Sequence, residues 1–143
     1  MMSDNMKVMP LFLICLFAFG TVHSATLEVR IKDKVSTEGS FYYLVFKSEK
    51  GFPDVKKESA YLGTFSAKEN SLTIEDVPPG SYALTIFQDE NENGKLDTNF
   101  LGIPKESFGF SNNPRIIMGP PSFEKCRFEI KDETVIKIKM RQF

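Results

Sequence analysis

The nine residues from Asp89 to Asp97 (DENENGKLD) have the composition and spacing of a calcium-binding loop. Oxygen-bearing side chains stand at its first, third, fifth and ninth positions, which are Asp89, Asn91, Asn93 and Asp97. Glycine stands at the sixth position, and Lys95 at the seventh can offer its backbone carbonyl. Calcium takes about six to eight hard oxygen ligands, and a loop around the ion presents alternate residues inward. We therefore expect Ca²⁺ as a cofactor.

The match to this loop ends at its twelfth position, where Phe100 stands in place of a glutamate that binds with both oxygens. Further ligands must come from elsewhere, and Glu106 is the nearest candidate. Because the loop itself supplies only two inward carboxylates, the expected dissociation constant is weak, about 10⁻⁴ to 10⁻³ M. The alternative is a solvated polar turn in which Asn93-Gly94 makes the bend.

A second group of candidates lies between Asp97 and Phe123, in a segment rich in glycine and proline. A connection of roughly 25 residues without periodicity is uncommon in a compact domain unless it is functional or disordered. Its apolar content argues against disorder, so we expect an ordered loop that carries binding. The alternative is that its phenylalanines only cap the end of the fold. The candidate binding residues are Gly102, Pro104, Phe108, Gly109, Phe110, Ser111, Asn112 and Asn113.

Few side chains are left for catalysis. The single histidine, His23, falls in a predicted leader, so no Ser-His or Cys-His pair is expected. Cys126 is then the only cysteine, and we interpret it as a small buried apolar residue. Asp97 and Glu106 can act as a hydrolytic pair in principle, but nothing in their spacing favours that over calcium. We expect no enzymatic activity; the alternatives are a small extracytoplasmic hydrolase or a purely structural surface component.

Residues 1–24 are typical of a signal peptide. Lys7 precedes a short uncharged apolar run, Val8 to Gly20, and a polar stretch follows. The run is too short to cross a bilayer comfortably. We expect cleavage after Ser24, with a cut after Ala25 as the alternative, and a mature domain of residues 25–143 without a transmembrane segment. The protein is then exported to the periplasm or beyond the cell.

Strand patterns dominate the rest of the chain. Residues 26–33 alternate between apolar and charged side chains, and Phe41 to Phe46 is a continuous run of strand-forming residues. The predicted strands are 26–33, 41–46, 61–65, 71–74, 81–88, 123–131 and 134–141. About seven strands and no convincing helix predict one all-β domain, an antiparallel β-sandwich with a long ordered loop. In this arrangement the acidic loop directly follows a central strand.

The charge of the chain restricts its partners. The formal net charge is −1 and no basic cluster is present. This argues against nucleic acid or an anionic membrane as the partner. An envelope protein or a small ligand is the expected partner.

The stretch from Val77 to Asn113 resembles the signature of an exported bacterial family catalogued as domain of unknown function 2141. The family pattern consists of a Pro-Gly-x-Tyr turn, the nine-residue acidic loop, a Gly-Ile-Pro-Lys-Glu motif and a Gly-Phe-Ser-Asn-Asn motif. The matching positions are Pro79, Gly80, Tyr82, 89–97, 102–106, 109–113 and 119–123. The resemblance implies bacterial export and a prealbumin-like or immunoglobulin-like sandwich, and it brings no activity.

Overall fold

The computed structural model describes residues 23–54 and 59–143. The predicted signal peptide therefore lies outside the described residues, except for His23 and Ser24. The described part is all-β, which confirms the predicted class. Its elements are β1 (Ala25–Lys32), β2 (Ser40–Phe46), β3 (Tyr61–Ser66), β4 (Ser71–Val77), β5 (Gly80–Asp89), β6 (Phe108–Phe110), α1 (Phe123–Cys126), β7 (Phe128–Ile130) and β8 (Glu133–Lys139).

The strands form two open sheets. One has three strands in the order β4-β1-β8, and the other has the order β3-β2-β5-β6, with β7 paired to the start of β5. The prediction that all pairs are antiparallel is wrong for β1 and β8, which run parallel with Leu27 opposite Thr134 and Ile31 opposite Ile138. Alternating burial is the same for both orientations, so the sequence pattern cannot distinguish them.

Two further elements differ from the sequence prediction. The strand predicted over 123–131 is interrupted, because Phe123–Cys126 form one helical turn and only Phe128–Ile130 are extended. Phe123 and Cys126 are both buried, at a separation that suits a helical turn. The third difference is β6, a strand of three residues inside the predicted loop, which is too short for its alternation to be recognised.

One apolar core contains residues from both sheets. Alternate residues of β1, Leu27 and Val29, are fully buried together with Val45 of β2 and Leu84 and Ile86 of β5. The opposite side chains of β1 are polar or charged and less buried, as the alternation predicted. Burial of this kind stabilises each large side chain by about 1.5 to 3 kcal/mol.

A second apolar cluster covers the other face of the five-stranded sheet. Because side chains alternate along a strand, Leu44 and Phe46 of β2 and Phe87 of β5 point away from the first core. They pack with Phe110 of β6 and Phe123 of α1. Both faces of the five-stranded sheet are thus apolar, and the long segment after Asp97 folds over the outer face.

Candidate functional site

The acidic loop begins at the last residue of β5. The Asp89 side chain is fully buried, and its two oxygens accept hydrogen bonds from the backbone N–H groups of Asn93 (3.1 Å) and Gly94 (2.7 Å). Gly94 has a φ of 74°, a left-handed conformation that suits glycine. Asp89 therefore closes the loop through contacts four and five residues ahead.

Two of the other predicted calcium ligands, Asn91 and Asn93, contact the Asp97 side chain. Its Oδ2 accepts hydrogen bonds from the side-chain amides of Asn91 (2.7 Å) and Asn93 (2.8 Å). These two bonds hold the pKa of Asp97 below its ordinary value. The oxygen of Asn91 accepts from the Asn93 backbone (3.2 Å), and that of Asn93 accepts from the Lys95 backbone (2.9 Å). Hydrogen bonds between residues of the loop thus hold it together.

Glu106 joins the two ends of this loop. Its Oε1 accepts a hydrogen bond from the backbone N–H of Glu90 (3.1 Å), and its Oε2 accepts one from Asp97 (3.0 Å). Burial raises the pKa of Glu106, and the two N–H bonds oppose that rise. The structure therefore places Glu106 against the loop and connects the loop to the long segment.

Calcium binding stays a prediction at this site. Within 23–54 and 59–143, no three carboxylate, thiol or imidazole groups come together to hold a metal ion. A calcium ion bound to Asp97 would displace the hydrogen bonds from the Asn91 and Asn93 amide groups. Both side chains would then have to rotate so that their oxygens face the ion. Asp89, Asn91, Asn93 and Asp97 nevertheless bring hard oxygen donors into one loop, as calcium requires.

Several predicted binding residues cross-link the fold. The buried Ser111 donates to the Cys126 carbonyl (2.5 Å) and accepts from the Leu84 backbone (2.9 Å). The Asn112 amide donates to the Arg127 carbonyl (2.6 Å). The Asn113 side chain donates to the Lys137 carbonyl (2.8 Å) and accepts from the Lys139 backbone (2.7 Å). These hydrogen bonds attach the end of β6 to the segments before β7 and along β8.

Gly109 has an internal position as well. It lies in β6 on the side that faces β8, where an added Cβ would lie 2.5 Å from Cγ2 of Ile138. Its neighbours Phe108 and Phe110 point to the opposite face of the sheet. The Gly-Phe-Ser-Asn-Asn motif therefore mainly positions its own Phe110 and the adjacent Phe108.

Those phenylalanines form part of an open cleft of about 700 Å³ on the outer face of the five-stranded sheet. Gly102 and Pro104 of the predicted binding loop also contribute to its lining. The lining also includes residues that were not predicted as binding residues, among them Phe87, Leu96, Leu101, Ile116, Ile117 and Phe143. The signal available in the sequence was an unusual density of apolar residues in a segment without periodicity.

The acidic loop and the cleft share a wall. A second hollow of about 510 Å³ lies beside the cleft, and Phe87, Leu96 and Thr98 line both. Asp97 lines only the second hollow, while Glu106 lines neither. The end of the acidic loop therefore forms part of the edge of the cleft.

Cys126 has the environment of a structural residue. It is fully buried, and burial raises the pKa of its thiol to about 11. The thiol is thus protonated at neutral pH and a poor nucleophile. His23, outside the predicted mature domain, contacts the exposed Asp132 in the described chain.

The fold and the site define a small all-β protein in which an acidic loop and a long ordered segment border an apolar cleft. The model of the bacterial family named domain of unknown function 2141, described as an uncharacterised protein conserved in bacteria, matches residues 29–138. The chain belongs to this family, which confirms the resemblance seen in its motifs. Searches of curated proteins and of solved structures found no significant match. No helix among the described residues is long and apolar enough to cross a membrane.

Proposed function

We propose that the protein is an exported, non-catalytic binding module of the bacterial envelope that holds a small apolar ligand in the cleft. The observation that carries this proposal is the cleft itself, about 700 Å³ with a mainly apolar lining. Ligand sites are typically concave, about 300 to 1,000 Å³ in volume, and apolar with a few polar groups. The predicted binding loop contributes Gly102, Pro104, Phe108 and Phe110 to this lining.

The rim of the cleft supports a ligand in preference to a purely structural role. Leu101 and Ile117 line it and are 68% and 78% exposed, and Phe143 adds an exposed ring. Exposed apolar side chains grouped around a cavity often mark a binding site. A ligand that covers them gains about 25 cal/mol for each Å² of apolar surface removed from water.

Binding of N-phenyl-1-naphthylamine, an uncharged apolar dye that fluoresces on leaving water, tests this function. Leu101→Gln and Ile117→Gln are each expected to weaken binding by about threefold to tenfold, because each removes apolar contact area. Phe100 and Met118 are matched controls, because they are the chain neighbours of Leu101 and Ile117. They are 94% and 92% exposed and do not belong to the described lining. Phe100→Gln and Met118→Gln should bind as the parent does. No binding by the parent, or equal losses in all four variants, would contradict the proposal.

The absence of catalysis is part of the proposal. Asp97 and Glu106, the pair that a hydrolase would use, do not line the same cavity, and both oxygens of Glu106 accept backbone hydrogen bonds. The alternatives from the sequence, a small hydrolase or a structural surface component, predict different results. A hydrolase would lose turnover in Glu106→Gln, and a structural component would bind no ligand.

We further propose that the acidic loop binds calcium weakly. Ca²⁺ that binds only the folded state raises stability by about 1.4 kcal/mol at ten times the dissociation constant, or a few degrees in melting temperature. Mg²⁺ should raise it much less, because it needs a tighter octahedron. Differential scanning fluorimetry of metal-stripped protein measures both. Asp97→Ala should abolish the calcium response, and Glu106→Gln should weaken it if Glu106 is a ligand. An unchanged melting temperature in millimolar Ca²⁺ would contradict calcium binding and favour the alternative, a solvated polar turn.

Export and architecture complete the proposal. The first residue after the expected cut, Ala25, is 2% exposed and pairs with Val77, so a cut after Ser24 preserves all of β1. Mass spectrometry of protein from the native host should find Ala25 at the N-terminus, and an intact leader on cytosolic protein would contradict export. The core shared by both sheets supports a sandwich of the prealbumin-like or immunoglobulin-like kind.

A further inference from the structure

One polar side chain interrupts the apolar floor of the cleft. The outward residues along the middle of β5 are Ala83, Thr85 and Phe87, and Ala83 and Phe87 belong to the outer apolar cluster. Thr85 is only 6% exposed and lines the cleft. Its hydroxyl has no hydrogen-bond partner among the described residues. Every completely buried polar side-chain atom in those residues has a partner, so this hydroxyl is not completely buried. The hydroxyl therefore opens onto the cleft.

A hydroxyl at this depth limits which ligand can cover it. A hydroxyl has one hydrogen to donate and two lone pairs to accept with, and a ligand that covers it without pairing with it leaves these unused, at a cost of about 1 to 3 kcal/mol. Valine has nearly the same shape without this cost, and it suits a strand equally well. A ligand group that bonds to the Thr85 hydroxyl avoids this cost, and it fixes the position of the ligand along the cleft.

The charges around the cleft limit what that group can be. Among the described lining residues there is no lysine, arginine or histidine, and Asp54 is the charged side chain. A carboxylate or phosphate placed next to Thr85 would lose its hydration without gaining a cation from these described lining residues, which is strongly unfavourable. A neutral carbonyl or hydroxyl group loses much less on burial and regains a hydrogen bond.

We propose that the cleft selects an elongated apolar molecule with one neutral hydrogen-bonding group, such as a long-chain ketone, ester or alcohol, and that this group pairs with the Thr85 hydroxyl. The inference rests on the proposed function and specifies its ligand class. Thr85 is the residue that determines specificity for the polar group, and the surrounding apolar side chains hold the rest of the ligand.

Displacement of N-phenyl-1-naphthylamine by 2-decanone and by decanoate tests the inference. The parent should bind 2-decanone at least tenfold more tightly than decanoate. Thr85→Val should weaken 2-decanone about fivefold to tenfold, with little change for the dye, and Thr85→Ser should restore most of the affinity because it keeps the hydroxyl. The matched control is Thr73→Val, an exposed strand threonine on the other sheet, which should change nothing.

The melting temperature without ligand provides an independent readout. Because the hydroxyl has no partner in the protein, the melting temperature of Thr85→Val should be equal to or above that of the parent. If the hydroxyl had a structural role, the same substitution would lower the melting temperature. Unchanged 2-decanone affinity in Thr85→Val would overturn this inference, and so would tighter binding of decanoate. Both results would leave the proposed function standing, because the dye would still bind. Failure of the parent to bind the dye would instead contradict the proposed function.

Discussion

Replacement of Gly39 by alanine is expected to lower the free energy of unfolding by about 2 to 5 kcal/mol. Gly39 immediately precedes β2 with a φ of 71°, where an L-residue costs about 1 to 2 kcal/mol. An added Cβ would also overlap the backbone carbonyl oxygen of Asp89 at the end of β5. Relief of that overlap requires a backbone shift where Ser40 pairs with Asp89. Urea denaturation followed by circular dichroism measures the loss.

Gly119 provides the control for this effect. It has the same φ of 71°, but an added Cβ there has nothing within 4 Å. Gly119→Ala should therefore show only the conformational cost, about 1 to 2 kcal/mol. The difference between the two variants isolates the contact of Gly39 with β5. Equal losses in both would show that the close approach to Asp89 has no energetic consequence.

Asp89→Ala is expected to lower the free energy of unfolding by about 2 to 4 kcal/mol. The buried carboxylate accepts backbone hydrogen bonds from Asn93 and Gly94, and bonds to a charged acceptor are worth about 1.5 to 3 kcal/mol each. Part of this gain is offset by the cost of burying the charge. The same denaturation experiment, in buffer without divalent ions, measures the structural effect separately from any metal.

Asp97→Ala is the matched comparison, because Asp97 also accepts two hydrogen bonds but lies less buried at the surface of the loop. Its donors, the amides of Asn91 and Asn93, are exposed and can turn to water, so its loss should cost less than that of Asp89. A larger effect from Asp97→Ala than from Asp89→Ala would contradict the role of Asp89 in closing the loop.

The two effects have one structural origin. Gly39 packs against the carbonyl of Asp89, and the carboxylate of Asp89 organises the loop that follows. Glu106 then joins that loop to the long segment above the cleft. A change at any of these positions is expected to alter the wall that Leu96 and Thr98 form between the two cavities.

The sequence by itself determined the features that depend on neighbouring residues. The alternation in residues 26–33 identified β1 and its buried face, because side chains along a strand point in opposite directions in turn. The spacing of Asp89, Asn91, Asn93 and Asp97 predicted an acidic loop directly after β5, and its calcium binding stays a prediction. The hydrogen bonds from Asn93 and Gly94 to Asp89 span only four or five residues. Both results follow from local geometry, which a single sequence contains.

Only the tertiary structure decided which distant residues meet. The parallel pairing of β1 with β8 joins strands from opposite ends of the chain, and either direction gives the same alternation. The cleft unites Phe87 of β5 with Ile116 of the long segment and Phe143 near the C-terminus. The Thr85 hydroxyl is accessible because the segments that surround it leave the cleft open. Such features depend on packing between segments far apart in sequence, and no local pattern records them.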